Sequence, residues 1–228
     1  LFGGTDTFGN TNDQTWTFNG TWTNVTAEQT VSPPALFSPG ATYDPSVGGL
    51  LLYGGESGFS GPEFIYNATW LFHDGQWSEL NVTGPDPLRS PTLVYDAATS
   101  SDILFGGFDG MTGTSSGATW SFASGAWTLL SPSASPGARF AAGATFDPAT
   151  GAVVLFGGFT TEYGNVNSPL SDTWTFVNGT WVNVTPLAHS APSPRGGPRL
   201  VWDATDGYGI LFGGQSNGYR YTDTWEFS

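Results

Sequence analysis

The chain of 228 residues has no cysteine and no lysine, and only two histidines and one methionine. Without cysteine it can build no disulfide scaffold, no thiolate metal site and no cysteine nucleophile. Its only bases are Arg89, Arg139, Arg195, Arg199 and Arg220, set against 19 acidic residues for a net charge of −14. That balance excludes nucleic acid as a partner, because phosphate binding needs a basic face. It also argues against anionic membrane surfaces. Charged residues make up only 11% of the chain, so the acidity reflects missing bases rather than acidic runs. No apolar run is long enough to enter a membrane, and apolar spacing of the helical kind is absent. His73 and His189 stand too far apart in sequence to suggest zinc, which needs three or four clustered ligands.

What is present is glycine (33 residues), tryptophan (ten) and repetition. An apolar run ending in a glycine pair recurs as LFGG (1–4), LLYGG (51–55), ILFGG (103–107), VLFGG (154–158) and ILFGG (210–214), at intervals of 51, 52, 51 and 56 residues. Before four of these pairs stands a strand closing on an aromatic and an aspartate: ATYDP (41–45), LVYDA (93–97), ATFDP (144–148) and LVWDA (200–204). After each pair comes a Thr-Trp-x-Phe strand, and four of these are followed by a second tryptophan. The turns between them carry Asn19-Gly20, Asp74-Gly75, Ser124-Gly125 and Asn178-Gly179, which suit the positive φ of tight hairpins. In DPATG (147–151) the aspartate can bond its own backbone while Gly151 turns left-handed. Each copy therefore reads as four short strands, with repeats at about 1–26, 40–83, 91–131, 140–185 and 198–228.

Four strands per unit of roughly 50 residues predicts an all-β propeller occupying residues 1–228. The pattern resembles the kelch family: a glycine pair ends the second strand (Gly157-Gly158), an aromatic sits in the third (Trp174), and a tryptophan follows (Trp181). PSPRGG (192–197) is similar to the run that opens the next kelch blade. The NGTW and LFGG wording also resembles archaeal and bacterial extracellular surface proteins with kelch-like repeats. The resemblance implies blades of four antiparallel strands and a ring of six or seven. The first and last copies are incomplete, so the chain is expected to be a segment of a longer one. Radical copper chemistry, found on one kelch propeller with a cysteine-linked tyrosine, cannot extend here. The Asp-box of sialidase-type propellers is missing its aspartate in TSSGATW (114–120).

All ten tryptophans fall at equivalent repeat positions, which predicts that they fill the wedges between blades. Function is then expected in residues that break the repeat. Strand connectivity puts the long second-to-third segments and the blade crossings on one face, with the arginines. The tight-turn face carries Asp44, Asp74, Asp96, Asp102, Asp147, Asp203 and Asp206. The sequence thus predicts a non-enzymatic module that binds a glycan or an extracellular protein through Arg89, Arg139, Arg195, Arg199 and Arg220 with Tyr66, Tyr163, Tyr219 and Tyr221. Arginine suits carboxylate or sulfate, though these side chains can equally brace the blade crossings.

The alternative is a polysaccharide lyase or hydrolase with a site at the channel mouth drawn from His189, Glu162 and Tyr163, with Glu56, Glu63 and Asp109 as further carboxylates. A third reading is a structural subunit of a surface layer or filament, self-assembling through terminal strand edges. No cofactor is required; calcium is left open by the oxygen-rich stretches TDTFGNTND (5–13) and GNVNSPLSD (164–172). Glycosylation acceptors occur at Asn19, Asn24, Asn67, Asn81, Asn178 and Asn183, as expected of an extracellular or cell-surface location.

Overall fold

The computed structural model describes residues 1–58, 64–110, 112–161, 167–185 and 190–228. The first repeat gives β1 (Trp16–Phe18) and β2 (Trp22–Asn24), with Phe2 bridging to Thr15. The second gives β3 (Gly40–Asp44), β4 (Gly49–Tyr53), β5 (Glu56–Ser57), β6 (Phe64–Ile65), β7 (Thr69–His73) and β8 (Gln76–Leu80). The third gives β9 (Thr92–Asp96), β10 (Ser101–Phe105), β11 (Phe108–Asp109), β12 (Thr114–Ser115), β13 (Thr119–Ala123) and β14 (Ala126–Leu130). The fourth gives β15 (Gly143–Asp147), β16 (Ala152–Phe156), β17 (Phe159–Thr161), β18 (Asn167–Pro169), β19 (Thr173–Val177) and β20 (Thr180–Asn183). The last gives β21 (Arg199–Asp203), β22 (Tyr208–Phe212), β23 (Gln215–Ser216), β24 (Tyr219–Arg220) and β25 (Thr224–Phe227).

Three sheets run β3-β4-β7-β8, β9-β10-β13-β14 and β15-β16-β19-β20, and a three-stranded sheet runs β21-β22-β25. They form the four blades of a β-propeller, with the β1–β2 pair ahead of them. Inner strands pack against one another in sequence, β3 on β9, β9 on β15 and β15 on β21. The outer turns follow their chemistry: Asp74-Gly75, Ser124-Gly125 and Asn178-Gly179 all take positive φ at both residues. In the first repeat only Gly20 does so. Asp44, Asp96, Asp147 and Asp203 each accept the backbone N–H two residues on, at 2.7–2.9 Å, which closes the other turn.

The glycine pairs are the joints between blades. Gly55, Gly107 and Gly158 donate their N–H groups to the carbonyls of Leu88, Arg139 and Arg195 in the next crossing. A side chain on the first glycine of each pair would be driven into that same carbonyl. Around the axis the crossings also bond to one another. Ser90 donates its N–H to the Ser38 carbonyl at 2.8 Å, Ala141 to Ser90 at 2.9 Å and Gly197 to Ala141 at 2.7 Å. All four residues are left-handed, with φ of 54°, 49°, 53° and 66° in chain order.

The wedges between blades hold indoles, as the repeat register predicts. Trp77, Trp127 and Trp181 are at most 8% exposed. Each donates its indole N–H to the threonine that opens the third strand of the preceding repeat: Thr15 at 2.9 Å, Thr69 at 2.9 Å and Thr119 at 3.0 Å. Each ring also meets two others about 5 Å away: Phe2 and Phe72, Tyr53 and Phe122, Phe105 and Phe176. Trp22 holds the same register position but is 57% exposed, because no blade stands on that side of β2 among the described residues. Asp102, expected on the acidic turn face, lies instead at 0% exposure within β10.

Candidate recognition face

In the last four repeats the second-to-third segments, which the sequence places on one face, each contain a short antiparallel strand pair. β5 pairs with β6, β11 with β12, β17 with β18 and β23 with β24. The first strand of each is bridged to a blade crossing: Phe37 to Glu56, Arg89 to Phe108, Phe140 to Phe159 and Gly196 to Gln215. The face is therefore a ring of hairpins stitched to crossings, carried on one end of the blades.

The arginines divide into two kinds. Arg139 and Arg195 are 2% and 0% exposed. Arg139 forks onto Asp172 at 2.6 and 2.8 Å and bonds the Gly157 carbonyl at 3.0 Å. Arg195 does the same with Asp223 and the Gly213 carbonyl, and its guanidinium lies 3.9 Å from the Tyr221 ring centre. Burial would raise the Asp172 carboxyl, but Arg139 and the Trp174 indole outweigh it and hold it below the usual range. The Arg195 bonds hold Asp223 down at about 2. These two arginines brace the crossings from below the face.

The others are nearer to solvent. Arg89 is partly exposed, paired with buried Glu56 at 2.9 Å and stacked 4.3 Å over Phe108. Its neighbours continue as a row of rings, Phe108 to Phe140 at 5.5 Å and Phe140 to Phe159 at 5.6 Å. Arg199 and Arg220 are exposed at the start of β21 and in β24. The β23–β24 hairpin turns through Asn217 and Gly218, both left-handed, and lifts Tyr219 to 63% exposure. Tyr219 and Tyr221 pack edge to face at 4.9 Å. Tyr66 is half-buried, its hydroxyl 3.3 Å from that of Ser57.

Glu63, Glu162, Tyr163 and His189 lie outside the described residues. Among the described residues there is no group of three or more metal-ligating side chains. Asp6, in one oxygen-rich stretch, accepts bonds from the Phe8 and Asn10 backbones and the Asn10 amide, so an Asx turn accounts for it. All six acceptor asparagines are exposed. Two also have a structural role: Asn24 and Asn183 cap the N–H groups of Thr26 and Thr185, whose hydroxyls accept from Thr15 and Thr173.

The row Glu56–Arg89–Phe108–Phe140–Phe159 was not read from the sequence. Its signal was there: each member immediately follows a glycine pair or occupies the second place of a crossing, so the register alone brings them together.

Fold and face define a β-propeller with a ring of hairpins at one end. No protein-family model matches the sequence, and no curated protein is significantly similar to it. Among solved structures the chain is similar to that of YjhT, with a TM-score of 0.72 over 98% of this chain and 76% of that one. The identity is 15%, so the likeness is one of fold.

Proposed function

We propose that this chain is a kelch-type propeller of an extracellular or cell-surface protein, a non-enzymatic module whose hairpin face binds a glycan bearing carboxylate or sulfate. The observation that carries this reading is the β23–β24 hairpin. It presents Tyr219, 63% exposed, packed on Tyr221 over a buried Arg195, with Arg220 exposed on the same short strand. An exposed ring gives a sugar a stacking surface, and an exposed guanidinium gives its acid group a two-pronged partner. The opposite end offers tight turns and aspartates, which would repel such a ligand. Six exposed glycosylation acceptors, the lack of lysine and the abundance of threonine fit an outer surface.

The test is an array of neutral, uronate-bearing and sulfated glycans, followed by titration of the best binder. Tyr219→Ala and Arg220→Ala are each expected to weaken it roughly tenfold, the effect of about 1.4 kcal/mol, while thermal stability stays unchanged. Binding to a protein partner alone would replace the glycan by that partner. Equal binding by both variants would remove the hairpin from the site.

A further inference from the structure

Arg89, Arg139 and Arg195 all stand in blade crossings and all pair with an acid, but their nitrogens are used differently. In Arg139 every guanidinium nitrogen has an acceptor. Nε donates to the Gly137 carbonyl at 2.9 Å, Nη1 to the Gly157 carbonyl and Asp172, and Nη2 to Asp172. Arg195 repeats the scheme with the carbonyls of Ser193 and Gly213 and with Asp223. Arg89 does not. Its Nη1 alone meets both oxygens of Glu56, at 2.9 and 3.2 Å. Its Nε is buried with no acceptor, and among the described residues nothing accepts from Nη2 either. The fold saturates two guanidinium groups and leaves one whole edge of the third unpaired.

We propose that the Nε–Nη2 edge of Arg89 receives the carboxylate of a uronic acid, a second subsite of the hairpin face that rests on the glycan reading above. Two parallel N–H donors match the two oxygens of a carboxylate, which a lysine in the same place could not do. Glu56 holds the guanidinium from its other side and Phe108 supports it 4.3 Å below, so the fork is fixed before a ligand arrives. Glu56 also offsets the arginine charge. Recognition here therefore depends on fit more than on net attraction, and fit favours a flat group. A carboxylate lies in the plane of a guanidinium stacked on a ring, whereas a sulfate pushes oxygens out of that plane toward Phe108. The surroundings suit the rest of a sugar. Arg89 precedes Ser90, whose N–H ties the crossings together around the axis. Phe108 and Phe140, both half-buried, continue from it in a row and offer their faces to the C–H side of a pyranose. This subsite belongs to the second and third repeats and the Tyr219–Arg220 hairpin to the fifth, so either can fail without the other.

The test titrates the 228-residue chain by calorimetry with oligomers of galacturonate, glucuronate and mannuronate. The best binder is then compared with its methyl ester and with a sulfated oligosaccharide of equal length, each expected to bind at least roughly tenfold more weakly. Arg89→Lys keeps a positive charge for Glu56 but removes the fork, and should weaken the uronate roughly tenfold while the melting temperature stays close to the parent's. In two-dimensional NMR the Arg89 Nε–H signal of the unaltered protein should move on saturation, a readout independent of how well the lysine variant folds. No uronate binding up to about 1 mM, equal binding of the ester or the sulfated oligomer, or an unmoved Arg89 signal would overturn the proposal. Weakening by Tyr219→Ala with Arg89→Lys unaffected would overturn it too and leave the hairpin reading in place. The reverse pattern would support this subsite and remove the hairpin from the site.

Discussion

Leu36 and Leu88 occupy the crossing position that Arg139 and Arg195 hold two blades later, and all four are buried. The change is matched in the third strand: Ala68 and Ala118 precede the tryptophan in the second and third repeats, Asp172 and Asp223 in the fourth and fifth. The acid occurs where the guanidinium needs it and is absent where leucine fills the space. The pairing also explains an orphan. The Trp174 and Trp225 indoles donate to Asp172 and Asp223, whereas the Trp70 nitrogen, following Ala68, is buried without a partner. Arg139→Leu alone leaves a half-buried carboxylate uncompensated and should cost about 3–5 kcal/mol. Arg139→Leu with Asp172→Ala recreates the Leu88/Ala118 pair and should return to within about 1–2 kcal/mol of the parent. Urea denaturation of the two singles and the double would decide it; additive losses would show that the pair acts independently.

At the scale of the strand, β10 breaks the repeat where it buries Asp102, a position held by Leu50, Val153 and Gly209 in the other blades. Burial, reinforced by the neighbouring Asp44 charge, raises its carboxyl from 3.8 to about 8. Neither oxygen has a hydrogen-bond donor from elsewhere, so the group folds as the neutral acid. The folded chain therefore keeps a proton that the unfolded chain releases above 3.8. Stability must fall as pH rises across that window, by about 1.4 kcal/mol per unit for a fully held proton, and level off above it. Asp102→Leu should flatten the thermal pH profile between pH 5 and 8 and stabilise most at the alkaline end. Parallel profiles for the two proteins would refute this.

Strand order, turn residues and indole wedges were legible in the sequence, because each depends on a periodic local rule. Asp102 was not. Alternation along β10 gave it no distinct face, and its depth comes from blade-to-blade packing that no single repeat encodes. Likewise Arg139 and Arg195 read from the sequence either as ligand-binding cations or as braces of the crossings, and only their aspartates, 33 and 28 residues away, decide between the two. The hairpin face itself could be placed from connectivity. Its stacked row could not, because ring contacts depend on how neighbouring blades tilt.

For the whole molecule, a net charge of −14 with five bases means that most surface charges repel one another. Two of those bases are buried in pairs and relieve little of it. Raising NaCl from about 10 to about 200 mM screens such repulsion beyond a few ångströms, so the melting temperature should climb by a few degrees. A flat or falling melting curve across that range would show that ion pairing, not repulsion, dominates. The crossing-to-crossing bonds through Ser38, Ser90, Ala141 and Gly197 have a genetic corollary. Every joint uses main-chain groups, so a duplicated or transplanted copy of about 50 residues meets the same fastening on either side. A copy cut just ahead of its crossing carries Leu with Ala, or Arg with Asp, as an intact set. A cut at the glycine pair would separate them, so viable shuffling of such genes should respect the first boundary and avoid the second.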